Sequence, residues 1–149
     1  MCYRHLLVPT DGSGRSRRAI QLAVQLAHAC RARITGLYVL AEGVPTIFSG
    51  SKLYASGVLG KEYRELAKRE ARMALAAVEE RAAAADVRCR TLKRLARHPW
   101  RAIVRTAHAC GCDLIVMASH GRSGASAILL GSQTTKVLAH TRIAVLVCR

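Results

Sequence analysis

The chain has 149 residues, 51% of them hydrophobic and only 4% aromatic, with a formal charge of +15. That length makes one ordinary domain with a core that needs no disulfide or metal, and that apolar content excludes a disordered chain. No run approaches the roughly 20 apolar residues that span a bilayer, and the opening Met-Cys-Tyr-Arg-His lacks the apolar segment of a secretory leader, so the expectation is a cytoplasmic protein.

His5–Pro9 is a short continuous apolar run, the mark of a strand buried on both faces of a parallel sheet. Thr10-Asp-Gly-Ser13 carries turn and N-cap residues. Ala19, Ile20, Ala23, Leu26 and Ala27 then recur at helical spacing, which predicts a helix from about Gly14 to Cys30. Arg33–Leu40 reads as the second strand. The stretch from Ala41 to about Gly60 is rich in Gly, Ser and Pro and long for a loop in a compact domain, which marks it for function or mobility. Lys61–Ala85 is an Ala-, Glu- and Arg-rich helix, and Val87–Leu95 the third strand.

His98-Pro-Trp100 starts the next helix, because Pro suits a first turn whose N–H groups have no intrahelical partner. Gly111 ends it. Asp113–Ala118 is the fourth and most apolar strand, Gln133–His140 a short helix, and Ile143–Cys148 a terminal strand. Strands that alternate with helices pair in parallel through right-handed crossovers. The predicted fold is α/β, one open parallel five-stranded sheet with helices on both faces, Rossmann-like, in a single domain over 1–149. Ligands of such sheets bind at the carboxyl ends of strands, where strand order reverses. Two loops of unusual composition lie at such ends: Pro9–Ser13 and Ser119–Ser132.

The second loop, with the strand end before it, reads Ala118-Ser-His-Gly121-Arg-Ser-Gly124 through Leu-Leu-Gly131-Ser132. Glycines let backbone N–H groups approach an anion, and the following helix adds its positive end. Ser132 has the chemistry to cap that helix or to donate to a phosphate, and His120 and Arg122 to add charge-assisted bonds. Neither a Walker A loop nor G-x-G-x-x-G is present. Read without further context, the glycines equally suit a tight connection with no ligand. Likewise Asp11 suits an N-cap or turn, Val39 the core, and His120 an exposed loop position.

The stretch from Val116 to Ser132, the terminal Ala144-Val-Leu-Val147 and the opening Leu6–Ser13 together resemble the universal stress protein family. The resemblance spans the chain, with the same order of elements. The family's nucleotide-binding branch carries Gly, two residues, Gly, nine residues, Gly, then Ser or Thr. Here Gly121, Gly131 and Ser132 match, while Ala118 stands at the first glycine. The resemblance implies an ATP-binding stress-response or signalling protein. It would place Asp11 near the ribose or the Mg²⁺-bound phosphates, Pro9 and Thr10 on the adjoining wall, and the Val39 backbone at the adenine. It puts Met117, Gly121, Arg122, Gly131, Ser132 and Gln133 on the phosphate side. Gln133 replaces a small apolar residue. The resemblance also implies a homodimer through the C-terminal strand. The alternative is the family's branch that binds no nucleotide and acts through protein partners, which Ala118 favours.

No strong catalyst is evident; phosphoryl transfer needs a positioned nucleophile and charge clamps, so any ATPase activity would be slow. The six cysteines have irregular spacing, which argues for reduced, mostly buried thiols rather than a disulfide framework. The basic charge raises a nucleic-acid or polyphosphate reading. The arginines look scattered along the helices, and base-stacking aromatics are lacking, which weighs against nucleic acid.

Overall fold

A computed structural model describes residues 2–42, 58–121 and 130–149. The elements run β1 (His5–Pro9), α1 (Gly14–Cys30), β2 (Arg33–Ala41), α2 (Val58–Ala84), β3 (Cys89–Ala96), α3 (Pro99–Ala109), β4 (Leu114–Ala118), α4 (Ser132–His140) and β5 (Ala144–Cys148). The expected loop beyond Ala41 lies almost wholly outside the described residues. α2 begins at Val58, earlier than the periodicity suggests, so Gly60 sits inside the helix, where it is buried.

All strands pair in parallel, in the order β3-β2-β1-β4-β5. The chain moves outward from β1 to β3, then returns to place β4 on the other side of β1. The reversal therefore falls between β1 and β4, the place where crevices open in such sheets.

Strand side chains alternate, and each face has its own core. Leu6, Val8, Ile34, Leu114 and Val116 pack with Ala19, Ile20 and Ala23 of α1 and Val78 and Ala82 of α2. Leu7, Leu37, Ile115 and Met117 pack with Ile103 and Ala107 of α3 and Val137 of α4. α1 and α2 thus cover one face and α3 and α4 the other. Gly36 permits the close seat of α2, because a Cβ there would lie 3.2 Å from both Val78 and Thr91.

Local signals fix the helix ends. Ser13 Oγ accepts the Ser16 N–H at 3.2 Å, a side-chain N-cap for α1. Gly111, with φ of 64°, follows the C-cap Cys110 and turns the chain out of α3. The two sheet edges differ. β3 exposes Lys93 and Arg94, charged residues that discourage strand addition. β5, the other edge, reads Ala-Val-Leu-Val-Cys.

Candidate functional site

The turn after β1 is held by its own polar side chains. Thr10 N–H donates to Leu37 O at 2.9 Å, tying the end of β1 to β2. The Thr10 hydroxyl donates to Ser16 Oγ at 3.0 Å and accepts the Gly12 N–H at 3.2 Å. Asp11 Oδ1 accepts the Ser13 N–H at 2.9 Å, an Asx turn that Gly12 completes with φ of 78°. So the turn reading of Asp11 is correct for one carboxylate oxygen. The other, Oδ2, faces Gly121: a Cβ on Gly121 would lie 2.8 Å from it.

The loop after β4 is pinned at both ends. Ser119 N–H donates to Cys148 O at 2.7 Å, and Gly131 N–H to Ser119 O at 2.7 Å. A Cβ on Gly131 would meet Ser119 O at 3.0 Å and His120 Cα at 3.2 Å, so a side chain there would press on the backbone at the start of the loop. Gly131 is also the N-cap of α4. Having no side chain, it caps nothing, and Ser132 is the first helical residue rather than the expected cap. The N-terminal N–H groups of α4 thus go without a side-chain cap.

These segments enclose a cavity of about 690 Å³ at the carboxyl ends of β1, β2 and β4, within the range usual for small-molecule sites. Pro9, Thr10 and Asp11 form one wall and Val39 another. Met117, Ala118, His120 and Gly121 come from β4 and its exit, and Gly131, Ser132 and Gln133 close the circle. Every residue singled out from the sequence lines it except Arg122, which lies outside the described residues. Ser16, Leu37, Ala41, Pro99, Ile103 and Thr134 line it as well, unanticipated. Leu37 shares a strand face with Val39, and Pro99 and Ile103 are one helical turn apart. Each had a readable periodicity, but a core assignment explained it equally well.

Three residues differ from their simplest sequence reading. His120 is buried rather than exposed, with Nδ1 3.1 Å from Ser119 Oγ. Gln133 serves a neighbouring helix: its Oε1 accepts the Trp100 N–H at 3.0 Å, supplying the cap that His98 does not give α3. Among the described residues only Arg31 and Asp86 are non-glycines with positive φ, so the backbone at Ala118 does not demand glycine. Its carbonyl accepts the Thr134 hydroxyl at 3.0 Å, and its methyl lines the cavity.

Chemically, the cavity joins an apolar wall to one carboxylate, hydroxyls, an imidazole and a helix N-terminus. The thiols lie elsewhere. Burial pushes Cys112 up to about 12 and Cys89 up to about 11, leaving both as poor nucleophiles. Among the described residues no three His, Cys, Asp or Glu side chains are grouped to hold a metal ion. None of the helices there is long and apolar enough to cross a membrane.

The sequence profile of the Universal stress protein family matches residues 2–149. Universal stress protein MJ0531 of Methanocaldococcus jannaschii is 33% identical over 147 residues, covering 99% of this chain and 82% of that protein. The solved structure of universal stress protein UspA from Lactobacillus plantarum superposes with a TM-score of 0.79 at 25% identity, covering 100% of this chain and 99% of that one. A universal stress protein solved in complex with cAMP superposes with a TM-score of 0.67 at 25% identity, covering 99% and 97%.

Proposed function

This chain belongs to the universal stress protein family, and from that premise we propose that it is a cytoplasmic, homodimeric stress-response or signalling protein that binds an adenine nucleotide, ATP, in the cavity between β1 and β4. One observation carries the reading. A Cβ would lie 2.8 Å from Asp11 Oδ2 at Gly121 and 3.0 Å from Ser119 O at Gly131, so the chain is closely packed there, beside a carboxylate and a helix start without a side-chain cap among the described residues. Such a backbone cradle suits phosphates. The cAMP complex of a relative points to the same ligand class.

In this reading the base lies against Val39, Pro9 and Ile103, with the Val39 backbone meeting the adenine edge. Asp11 faces the ribose or a phosphate-bound Mg²⁺. One carboxylate is an appropriate protein contribution for Mg²⁺, which takes its remaining ligands from water and phosphate. Gly121, Gly131, Ser132 and the first turn of α4 hold the phosphates, with His120 beside them. Met117 and Ala118 floor the site, Thr10 braces the turn, and Gln133 fixes α4 against α3. Arg122 completes the phosphate side. Mg²⁺, when bound, neutralises phosphate charge. Among the described residues one carboxylate, Asp11, and one imidazole, His120, line the cavity, a set that suits a protein acting through conformation and partners, with slow hydrolysis at most.

The contrast between the edges supports dimerisation through β5. β3 is guarded by charge and β5 is not. Val147→Lys should convert a dimer to a monomer in light scattering; an unchanged dimer would place the interface elsewhere.

Ala118 favours the other branch of the family, in which no nucleotide binds, because its methyl occupies cavity space. Nucleotide released on denaturation, together with Mg-ATP calorimetry, decides between them. Saturable one-to-one binding that is lost in Gly131→Val and Asp11→Ala supports the nucleotide reading. A folded protein that binds nothing at about millimolar ATP, the scale of weak specific sites, supports the branch without it.

A further inference from the structure

A second cavity, of about 500 Å³, opens on the outer flank of α3. Its lining includes Arg94, Arg97, His98, Arg101 and Arg105, with Glu42 as its one carboxylate. In the sequence these arginines look dispersed; the fold gathers them. Arg101 and Arg105 are one turn apart on α3 and therefore share a face. Arg94 reaches in from β3. It pairs in register with Val39, so the two side chains emerge on the same sheet face, Val39 in the inner cavity and Arg94 in the outer one. Among the described residues no strand lies beyond β3 to cover this flank.

Guanidinium groups remain charged at any physiological pH and repel one another when crowded. None of the four makes an ion pair among the described residues, and Glu42 is the one carboxylate that shares the cleft with them. Arg94 Nη1 donates to the Lys93 carbonyl at 3.0 Å, and the Arg101 guanidinium lies 5.2 Å from the centroid of the Trp100 ring, which stands outside the cleft lining. A cleft built this way attracts an anion of more than one charge. The guanidinium fork matches phosphate oxygens two at a time. Among the described residues no Phe, Tyr or Trp lines the cleft to stack a base, and its volume suits a small molecule rather than a polymer surface.

We propose that the outer cleft is a binding site for a small anion carrying several phosphate groups, recognised by Arg94, Arg97, Arg101 and Arg105. The site is separate from the nucleotide cavity and does not depend on that cavity's being filled. A linear phosphate chain and a phosphorylated ring offer the same chemistry, and the two probes below distinguish them.

Inorganic tripolyphosphate and inositol hexakisphosphate would each be titrated into the full chain by calorimetry at about 150 mM salt, which screens diffuse surface charge. Gly131→Val serves as the background, to remove the inner cavity. Saturable binding of either probe is expected. It should weaken at least about tenfold in Arg101→Ala/Arg105→Ala and in Arg101→Gln/Arg105→Gln. Arg17→Ala/Arg18→Ala, the same charge change at exposed positions of α1 on the opposite face, should leave it unchanged. The preferred probe identifies chain or ring. No saturable binding of either probe, or equal weakening in the α1 variant, overturns the proposal. So does wild-type binding that Gly131→Val alone abolishes.

Discussion

The two cavities flanking α3 are built on different principles. The inner one is made by backbone: two closely packed glycines, an Asx turn, and a helix whose N-cap glycine offers no side chain. The outer one is made by side chains, four arginines brought together from a strand, a loop and a helix. A backbone-built site is sensitive to added atoms and, Asp11 apart, little affected by small changes in net charge. A charge-built site should behave in the opposite way. Steric substitutions should therefore weaken the inner cavity most, and charge substitutions the outer one.

The largest effect is expected at Gly121. In Gly121→Ala the new methyl would stand 2.8 Å from Asp11 Oδ2 and displace the carboxylate. Mg-ATP affinity should fall by roughly tenfold to a hundredfold, about 1.4 to 2.8 kcal/mol, while the outer cleft keeps its anion in calorimetry. Asp11→Asn keeps the shape and removes the charge. It should cost about tenfold and erase the difference between titrations with and without Mg²⁺; a preserved Mg²⁺ dependence would move the metal away from Asp11. Gln133→Ala removes the acceptor for the Trp100 N–H that starts α3. Urea unfolding should show a loss of about 1 kcal/mol, the usual value of a helix cap. Ala118→Gly should matter least among the binding variants, changing affinity by about threefold or less, roughly 0.7 kcal/mol, because the backbone there does not need glycine. A gain of two orders of magnitude would show the methyl to be the obstacle.

The amino end of the sheet supplies a control. His5 is buried, and its Nε2 lies 2.7 Å from the Thr35 hydroxyl, which accepts from Arg90 Nε at 3.1 Å. Burial first, then Arg33 and Arg90, hold its pKa below the ordinary 6.5. The unfolded chain therefore takes up a proton there before the folded one does. The His5 contribution to stability is full above about pH 6.5 and declines as pH falls toward the lower folded value. His5→Gln should flatten the urea midpoint between pH 7.5 and 5.5 without altering nucleotide affinity. An unchanged slope would assign the pH dependence to other groups.

The difference between the cavities also governs what the sequence discloses. β1 and β4 are legible because burial on both faces writes continuous apolar runs, α1 because burial of one face writes a period of 3.6, and the inner site because its glycines and hydroxyls lie in two contiguous loops. The outer cleft is not. Arg94, Arg97, Arg101 and Arg105 satisfy no motif, and only the pairing of β3 with β2 and the seat of α3 bring them together. The dual position of Gln133 and the burial of His120 were hidden for the same reason: each depends on a contact with another segment or on packing around it. The sheet order, too, rests on which strands β1 accepts as neighbours, and local pattern says nothing of that.

The most direct test of the nucleotide site is a titration of Mg-ATP followed through backbone amide NMR signals. Saturable shifts should cluster at Thr10, Asp11, Val39, Ala118, Gly121 and Gly131, and should persist in the Arg101→Ala/Arg105→Ala variant. Shifts confined to the arginines of the outer cleft, or none at about millimolar ATP, would contradict the assignment of the nucleotide to the cavity between β1 and β4.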